Sequence, residues 1–195
     1  MSETRTYPRD IALGGRSFTL RGMVEDDKAG ILAFARALPS IDLLFLRRDI
    51  THPRVVAAWL RDIVDDTIVT LLAIEKGAIV GCAAIVTDPL SWSKHVGELR
   101  ILVSSEVRGA GLGRALAQEA FALGLERGLE KFVAQMTPDQ QGALAMFSGL
   151  GFRPEALLRD HVKDRDGTTH DIVILSHDVA RVNAQHEAMG LNEAF

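Results

Sequence analysis

The chain has 195 residues, of which 47% are hydrophobic and 25% are charged. This is the balance of an ordinary soluble globular domain with a sizeable core. A net charge of −4 argues against nucleic acid as a partner, and no apolar run reaches the ~20 residues that span a bilayer. The polar N-terminus lacks the apolar core of a signal peptide, and the single Cys82 excludes an internal disulfide. These features predict a cytoplasmic protein that does not bind a membrane.

The first half of the sequence predicts one strand, two helices and a strand hairpin. Asp26 or Asp27 can cap the first helix, Pro39 ends it, and Pro53 opens the second helix. The turn sequence around Gly77 separates two apolar, β-branched runs, which is a hairpin signal. The predicted strands are Ser17–Arg21, Ile68–Ile74 and Ile79–Val86. The segment between the two helices has no clear assignment.

The second half of the sequence alternates strands and helices and ends in another hairpin. The strand Glu98–Val103 runs into a glycine-rich loop, which opens the third helix. The fourth helix is predicted to start at Pro138 and to end near Gly149. Asp166 and Gly167 form a strong two-residue turn signal. The remaining predicted strands are Lys131–Met136, Leu157–Val162 and Thr169–Leu175.

The most informative segment is the loop from Arg108 to Arg114. Its alternate glycines, Gly109, Gly111 and Gly113, remove Cβ atoms where a helix begins, so an anion can approach the backbone closely. The free N–H groups of the first helical turn and the positive end of the helix dipole would face that anion. The two arginines can add charge-assisted contacts to phosphate oxygens. The loop therefore predicts a phosphate-binding site.

The known phosphate-binding motifs fit this loop unequally. A Walker loop needs Lys and then Ser or Thr, but Arg114 and Ala115 follow the last glycine. The spacing of a dinucleotide-binding loop fits in neither register, which makes NAD a weak alternative. A glycine-rich turn that only packs a helix on a strand is a further alternative. The pattern Arg-x-x-Gly-x-Gly fits Arg108 to Gly113 at every fixed place, and it resembles the coenzyme A pyrophosphate loop of the GCN5-related N-acetyltransferase (GNAT) superfamily.

The resemblance covers about Phe18 to His177, and Leu150-Gly151-Phe152 is similar to the Gly-Phe that follows the fourth helix of GNATs. It implies an α/β (α+β) fold with a central, mixed, mostly antiparallel sheet of six to seven strands. Helices would cover both faces of the sheet, which would splay between strands four and five. Residues 16–178 would form this domain, between an N-terminal extension (1–15) and a C-terminal helical tail (179–195). The tail could cover the sheet or join a homodimer contact.

The resemblance also implies how acetyl-CoA, the acetyl donor, would bind and react. It would enter between the splayed strands, whose unpaired main-chain groups can pair with its amide-rich arm. The N–H of Leu102 or Val103 would polarise the thioester carbonyl, and the acetyl group would pass directly to an amine. The residues expected to bind the cofactor are Ile101, Leu102, Val103, Arg108, Gly109, Ala110, Gly111, Leu112, Gly113, Arg114, Gln140 and Phe147.

Several positions bear on proton transfer. Glu98 occupies the place where many GNATs carry a glutamate base, and its alternative is a solvated charge at a strand start. His95, in the preceding loop, is the second candidate for the base. Where the family often has a tyrosine that protonates the leaving thiolate, this chain has Phe147, and its only tyrosine is Tyr7. Ser148 or water would then donate that proton, or the thiolate would leave without one.

The acceptor stays open at this stage. It could be a small-molecule amine, a protein lysine or a protein N-terminus, because a fold does not choose among them. A non-catalytic acyl-CoA-binding or sensing protein is the alternative that the missing tyrosine suggests. The histidines His161, His170 and His177 are expected to be scattered surface groups rather than metal ligands.

Overall fold

A computed structural model describes residues 5–180 of the chain. Within that range the chain forms eight strands and four helices. The strands are β1 (Arg9–Leu13), β2 (Arg16–Gly22), β3 (Ile68–Glu75), β4 (Ala78–Val86), β5 (Val96–Val103), β6 (Lys131–Met136), β7 (Arg153–Lys163) and β8 (Thr169–Asp178). The helices are α1 (Lys28–Ala37), α2 (Pro53–Val64), α3 (Leu112–Glu126) and α4 (Gln141–Gly149). None of these helices is long and apolar enough to cross a bilayer.

All eight strands join one sheet in the order β1-β2-β3-β4-β5-β6-β8-β7. Only the β5–β6 pair is parallel, so the mixed, mostly antiparallel sheet that the resemblance implied is confirmed. The expected number of six to seven strands is wrong, because β1, which lies in the predicted N-terminal extension, pairs with β2 and adds an eighth strand. Gly14 and Gly15, both with positive φ, make the tight turn between these two strands. That Gly-Gly pair was an available hairpin signal.

The sheet splays between β5 and β6. Their pairing runs from Val96 with Lys131 to Leu99 with Ala134 and then stops. On its other side, β5 stays paired with β4 as far as Val103. The last residues of β5, from Arg100 to Val103, are therefore unpaired on the β6 side, at the position that the resemblance implied.

Helices cover both faces of the sheet, as expected. One buried cluster includes Leu112 and Leu116 of α3 and Phe147 of α4. The other includes Val56 and Trp59 of α2, together with residues of α1. The apolar side of α2 arises because these residues recur at helical spacing, while the opposite side of the helix is charged. The two clusters hold the sheet between two helical layers.

The β7–β8 hairpin differs from its prediction at the turn. Lys163 pairs with Thr169, so the connection is longer than the predicted two-residue turn at Asp166-Gly167. The cause is Asp164, whose carboxylate accepts hydrogen bonds from the N–H groups of Asp166 and Thr168, at 2.9 Å each. The tip then reaches across to the α1–α2 connection, where Arg165 donates hydrogen bonds to side chains of that segment.

The α1–α2 connection, which the sequence left unassigned, begins with a short 3₁₀ turn over Ser40–Leu43. Leu43, Phe45 and Ile50 are buried from it, so the connection packs as a wall on the sheet. At the other end of the chain, the predicted helical tail lies outside the described residues except for its first two positions.

Candidate active site

A cleft of about 690 Å³ opens where β5 and β6 part. The open edge of β5, the loop before α3 and the start of α4 form its walls. We call it the main cleft, and it is lined by Ile41, Asp42, Ile101, Leu102, Val103, Val107, Arg108, Gly109, Gly111, Leu112, Gly113, Arg114, Asp139, Gln140, Gln141, Gly142, Ala143, Met146 and Phe147. Eleven of the twelve residues that the sequence nominated for cofactor binding lie here. The exception is Ala110, which lies against Gly14 in the β1–β2 turn.

The glycine loop has the geometry of an anion site. Gly109 and Gly111 have φ values of +80° and +88°, a region that L side chains rarely adopt, and a Cβ atom added at either would meet open space. Gly111 is the N-cap of α3, where no side chain caps the helix and no acidic residue lies in the first turn. The first N–H groups of α3 have no partner within the helix and aim at the cleft end. These residues fit the diphosphate of a nucleotide cofactor.

Asp42 is a cleft residue that the sequence reasoning missed. Its carboxylate accepts a hydrogen bond from the Arg108 guanidinium, which also lies 3.5 Å from the carbonyl oxygen of Val103. The contact joins the α1–α2 connection to the glycine loop across the mouth of the main cleft. No sequence signal pointed to Asp42, because its segment had no predicted structure.

The α4 side of the cleft is apolar at its base. Phe147 is 3% exposed and lies edge-on to Phe152, with ring centroids 5.0 Å apart. Gln140 precedes α4, and its side-chain oxygen accepts a hydrogen bond from the Thr137 N–H. Ser148 is exposed and does not line the main cleft.

Tyr7 does not line the main cleft either. Its hydroxyl donates a hydrogen bond of 2.7 Å to Glu119 on α3. Burial, together with that carboxylate, raises the pKa of Tyr7 well above its usual value. Tyr7 therefore does not replace the family's tyrosine as the proton donor to the leaving thiolate.

Glu98 is buried on β5, where two of its neighbours are arginines. Its two carboxylate oxygens accept hydrogen bonds from Arg100, at 2.8 and 3.1 Å, and Arg47 lies 3.9 Å away. Side chains alternate along a strand, so Glu98, Arg100 and Leu102 share the α1–α2 face of β5. Glu98 itself lines neither the main cleft nor the cavity described next, and is linked to that cavity through Arg47 and Arg100. His95, the other predicted base, is exposed in the loop before β5 and also lines neither space.

A second cavity of about 190 Å³ lies on that same face of the sheet. Leu102 belongs to the walls of both spaces, so the second cavity abuts the main cleft at the end of β5. It is lined by Leu46, Arg47, Arg48, Ile50, Val55, Trp59, Asp62, Ile68, Cys82, Ala84, Val86, Arg100 and Leu102. Burial raises the pKa of the Cys82 thiol to about 12, so it is apolar packing rather than a nucleophile.

The described residues, 5–180, contain no group of three or more His, Cys, Asp or Glu side chains that could hold a metal ion. The histidines of the last hairpin are not all at the surface. His170 is partly buried and lies 2.8 Å from Asp164, and His177 is buried against Phe121.

Comparison with known proteins identifies the protein family. A model of the Acetyltransferase (GNAT) family matches residues 32–152, which is more than half of the chain. The chain therefore belongs to the GNAT family of acetyltransferases, which confirms the family that the sequence predicted. This family uses acetyl-CoA as its co-substrate.

Individual relatives agree with this class. N-acetyltransferase 8F1 of Rattus norvegicus is 34% identical over 77 residues, and N-acetyltransferase 8B of Mus musculus is 32% identical over 79. These matches cover 38% and 40% of this chain, and the chain spans only about a third of the length of either relative.

Solved structures of the same family share the fold. A GNAT-family acetyltransferase from Streptococcus pneumoniae has a TM-score of 0.71 at 22% identity, covering 83% of this chain and 99% of that one. A phosphinothricin acetyltransferase from Sinorhizobium meliloti, solved in complex with AcCoA, has a TM-score of 0.71 at 21% identity and covers 83% and 88%.

Proposed function

We propose that this protein transfers an acetyl group from acetyl-CoA to an amine. The observation that carries this proposal is the main cleft, which joins an anion-binding loop to the open edge of a strand. A ligand with a diphosphate at one end and a chain of amides at the other matches both features. Acetyl-CoA has that composition.

The backbone of β5 supports a particular way of holding the donor. The N–H of Ser104 donates to Val80 of β4, and hydrogen-bonding directions alternate along an antiparallel strand. The N–H of Leu102 therefore also faces β4, whereas the main-chain groups of Ile101 and Val103 face the open edge. Of the two residues considered for the thioester carbonyl, this alternation favours the N–H of Val103. The diphosphate would lie on the glycine loop between Arg108 and Arg114.

The reaction needs a neutral amine. An alkylamine with a pKa of ~10.4 is almost entirely protonated at pH 7, so a proton must first pass to a base. We assign that base to Glu98, acting through water, because it is the carboxylate on the same face of β5 as Leu102, four residues earlier in the strand. The amine nitrogen then forms a bond to the acetyl carbon, the carbon–sulfur bond breaks, and the sulfur leaves with the electron pair. The extra proton on the attacking nitrogen passes to water or to the departing thiolate, which leaves a neutral amide. A thiol pKa of ~8.5 lets the thiolate depart without a tyrosine donor at Phe147.

A non-catalytic acyl-CoA-binding or sensing protein is the second candidate. The observation that favours it is Phe147, whose apolar ring occupies the place of the family's frequent tyrosine. The two candidates share the donor site and differ only in turnover.

Calorimetric titration with acetyl-CoA, CoA and NAD in parallel tests the shared part. We expect micromolar binding of acetyl-CoA and no heat from NAD. An absence of acetyl-CoA binding would overturn both candidates. Thiol release from acetyl-CoA in the presence of a panel of amines then separates them, because a sensing protein binds acetyl-CoA and releases no thiol above the rate without protein.

A further inference from the structure

Resting on the proposed function, we infer that the acceptor is an amino acid with a bulky apolar side chain, bound in the second cavity. Its apolar group would fill the cavity, its carboxylate would meet Arg47 and Arg48, and its amine would lie toward Leu102, with its proton passing to Glu98 through water. The charges and the apolar lining of the second cavity carry this inference.

The cavity lies where an acceptor has to be. Leu102 separates it from the main cleft, at the end of β5 where the thioester would lie. Arg100 is two residues earlier on the same face, which is roughly 7 Å along the strand. An amine held in this cavity approaches the donor from the side opposite α3 and α4.

The interior of the cavity is apolar. Side chains from α2, from the α1–α2 connection and from the strands β3, β4 and β5 form it. The indole N–H of Trp59, its one hydrogen-bond donor, donates to the Thr70 hydroxyl at 2.9 Å. Burial of an apolar side chain there is favourable because it removes apolar surface from water. The volume of about 190 Å³ is below the several hundred Å³ of a cavity for drug-sized ligands, so it suits a single side chain.

The charged groups around the cavity are mainly cationic. Arg47, Arg48 and Arg100 line it, and the acidic residues against them are Asp62 and Glu98. The Arg47 and Arg48 side chains are 75% and 60% exposed, and their contacts with carboxylates are long, at 3.9 and 3.5 Å. Their guanidinium groups can therefore take up an external carboxylate. A polyamine would meet this positive charge at close range.

The pairing of charges also matches a zwitterion. An amino acid carries an ammonium and a carboxylate on neighbouring atoms, and Arg47 lies 3.9 Å from Glu98 in the protein. The carboxylate of the ligand can bind arginine through two parallel hydrogen bonds, while its ammonium loses a proton through water to Glu98. The acetyl transfer then proceeds as described above, with the nitrogen–carbon bond formed and the thiolate released.

The test compares three amines and three variants. L-phenylalanine, L-phenylalaninamide and spermidine are assayed by thiol release from acetyl-CoA, and binding of L-phenylalanine is measured separately by calorimetry. Arg47→Gln and Arg48→Gln remove the cationic groups, and Arg54→Gln is the matched control, because Arg54 is an exposed arginine of α2 outside the cavity. We expect L-phenylalanine to react best. Each cavity variant should raise the KM for L-phenylalanine about tenfold, which is the smallest effect expected from losing a charge-assisted hydrogen bond. The KM for L-phenylalaninamide should be unchanged.

Two results would overturn the inference. One is an amide or spermidine that reacts better than the amino acid, and the other is an unchanged KM for L-phenylalanine in both cavity variants. Failure of the proposed function is a separate outcome. L-phenylalanine that binds, and binds more weakly to the Arg47→Gln variant, would support the cavity assignment even if no acetyl group were transferred.

Discussion

Replacing Gly111 with alanine separates the backbone strain of the glycine loop from its role in binding. Gly111 has φ +88°, and a Cβ atom added there meets nothing within 4 Å, so the cost in the free protein is conformational rather than steric. An L residue in this region costs about 1–2 kcal/mol, which lowers the melting temperature by about 2–8 °C for a chain of this length. The new methyl group lies on the anion-binding loop of the main cleft. We expect acetyl-CoA affinity to fall about 10- to 100-fold, the equivalent of one charge-assisted hydrogen bond to phosphate.

Gly128→Ala is the matched control for this change. Gly128 follows the far end of α3, has φ +77°, and also has open space around an added Cβ. Both variants should therefore lose similar stability in thermal unfolding, while only Gly111→Ala loses acetyl-CoA affinity in calorimetry. Equal affinities for the two variants would refute the assignment of the glycine loop to the diphosphate.

Three further predictions follow from single contacts. Glu98→Gln should lower kcat/KM about 100-fold or more, with a changed pH–rate profile, and an unaltered profile would remove Glu98 as the base. Asp42→Asn should tighten acetyl-CoA binding about two- to fivefold in calorimetry, because it frees Arg108 for phosphate; weaker binding would contradict this. Asp27→Ala should cost about 1–3 kcal/mol in urea unfolding at pH 7, because it strips Arg21 of its partner. Arg21 lowers the pKa of Asp27, so this contribution is fully present above pH ~4 and is lost as the pH falls through the lowered pKa of the folded state; a cost as large at pH 2 as at pH 7 would contradict the ion pair.

Local sequence signals predicted most of the fold. The β-branched runs of β3 and β4, the strand before the glycine loop and the loop itself all lie where periodicity and glycine spacing indicated. The sequence did not predict β1, although Gly14-Gly15 is a hairpin signal, because β1 has only five residues and two of them, Arg9 and Asp10, are charged. The longer turn of the last hairpin depends on the carboxylate of Asp164, which a two-residue turn rule does not include.

The candidate site also has a part that the sequence predicted and a part that it did not. Its glycine loop is continuous in sequence, so spacing alone could nominate it. The contact between Asp42 and Arg108 joins residues 66 positions apart, and Glu98 meets Arg47 only after the α1–α2 connection packs on the sheet. Pairings of this kind depend on tertiary packing, and a single sequence gives no measure of them.

Because Leu102 separates the main cleft from the second cavity, the choice of amine can change independently of acetyl-CoA binding. Most of the main cleft comes from residues 101–147, whereas the outer walls of the second cavity come largely from residues 46–68. Exchanges in the latter stretch can alter which amine is chosen while the donor machinery stays intact. A library confined to the lining of the second cavity is thus a practical route to new selectivity on an unchanged acetyl-transferring scaffold.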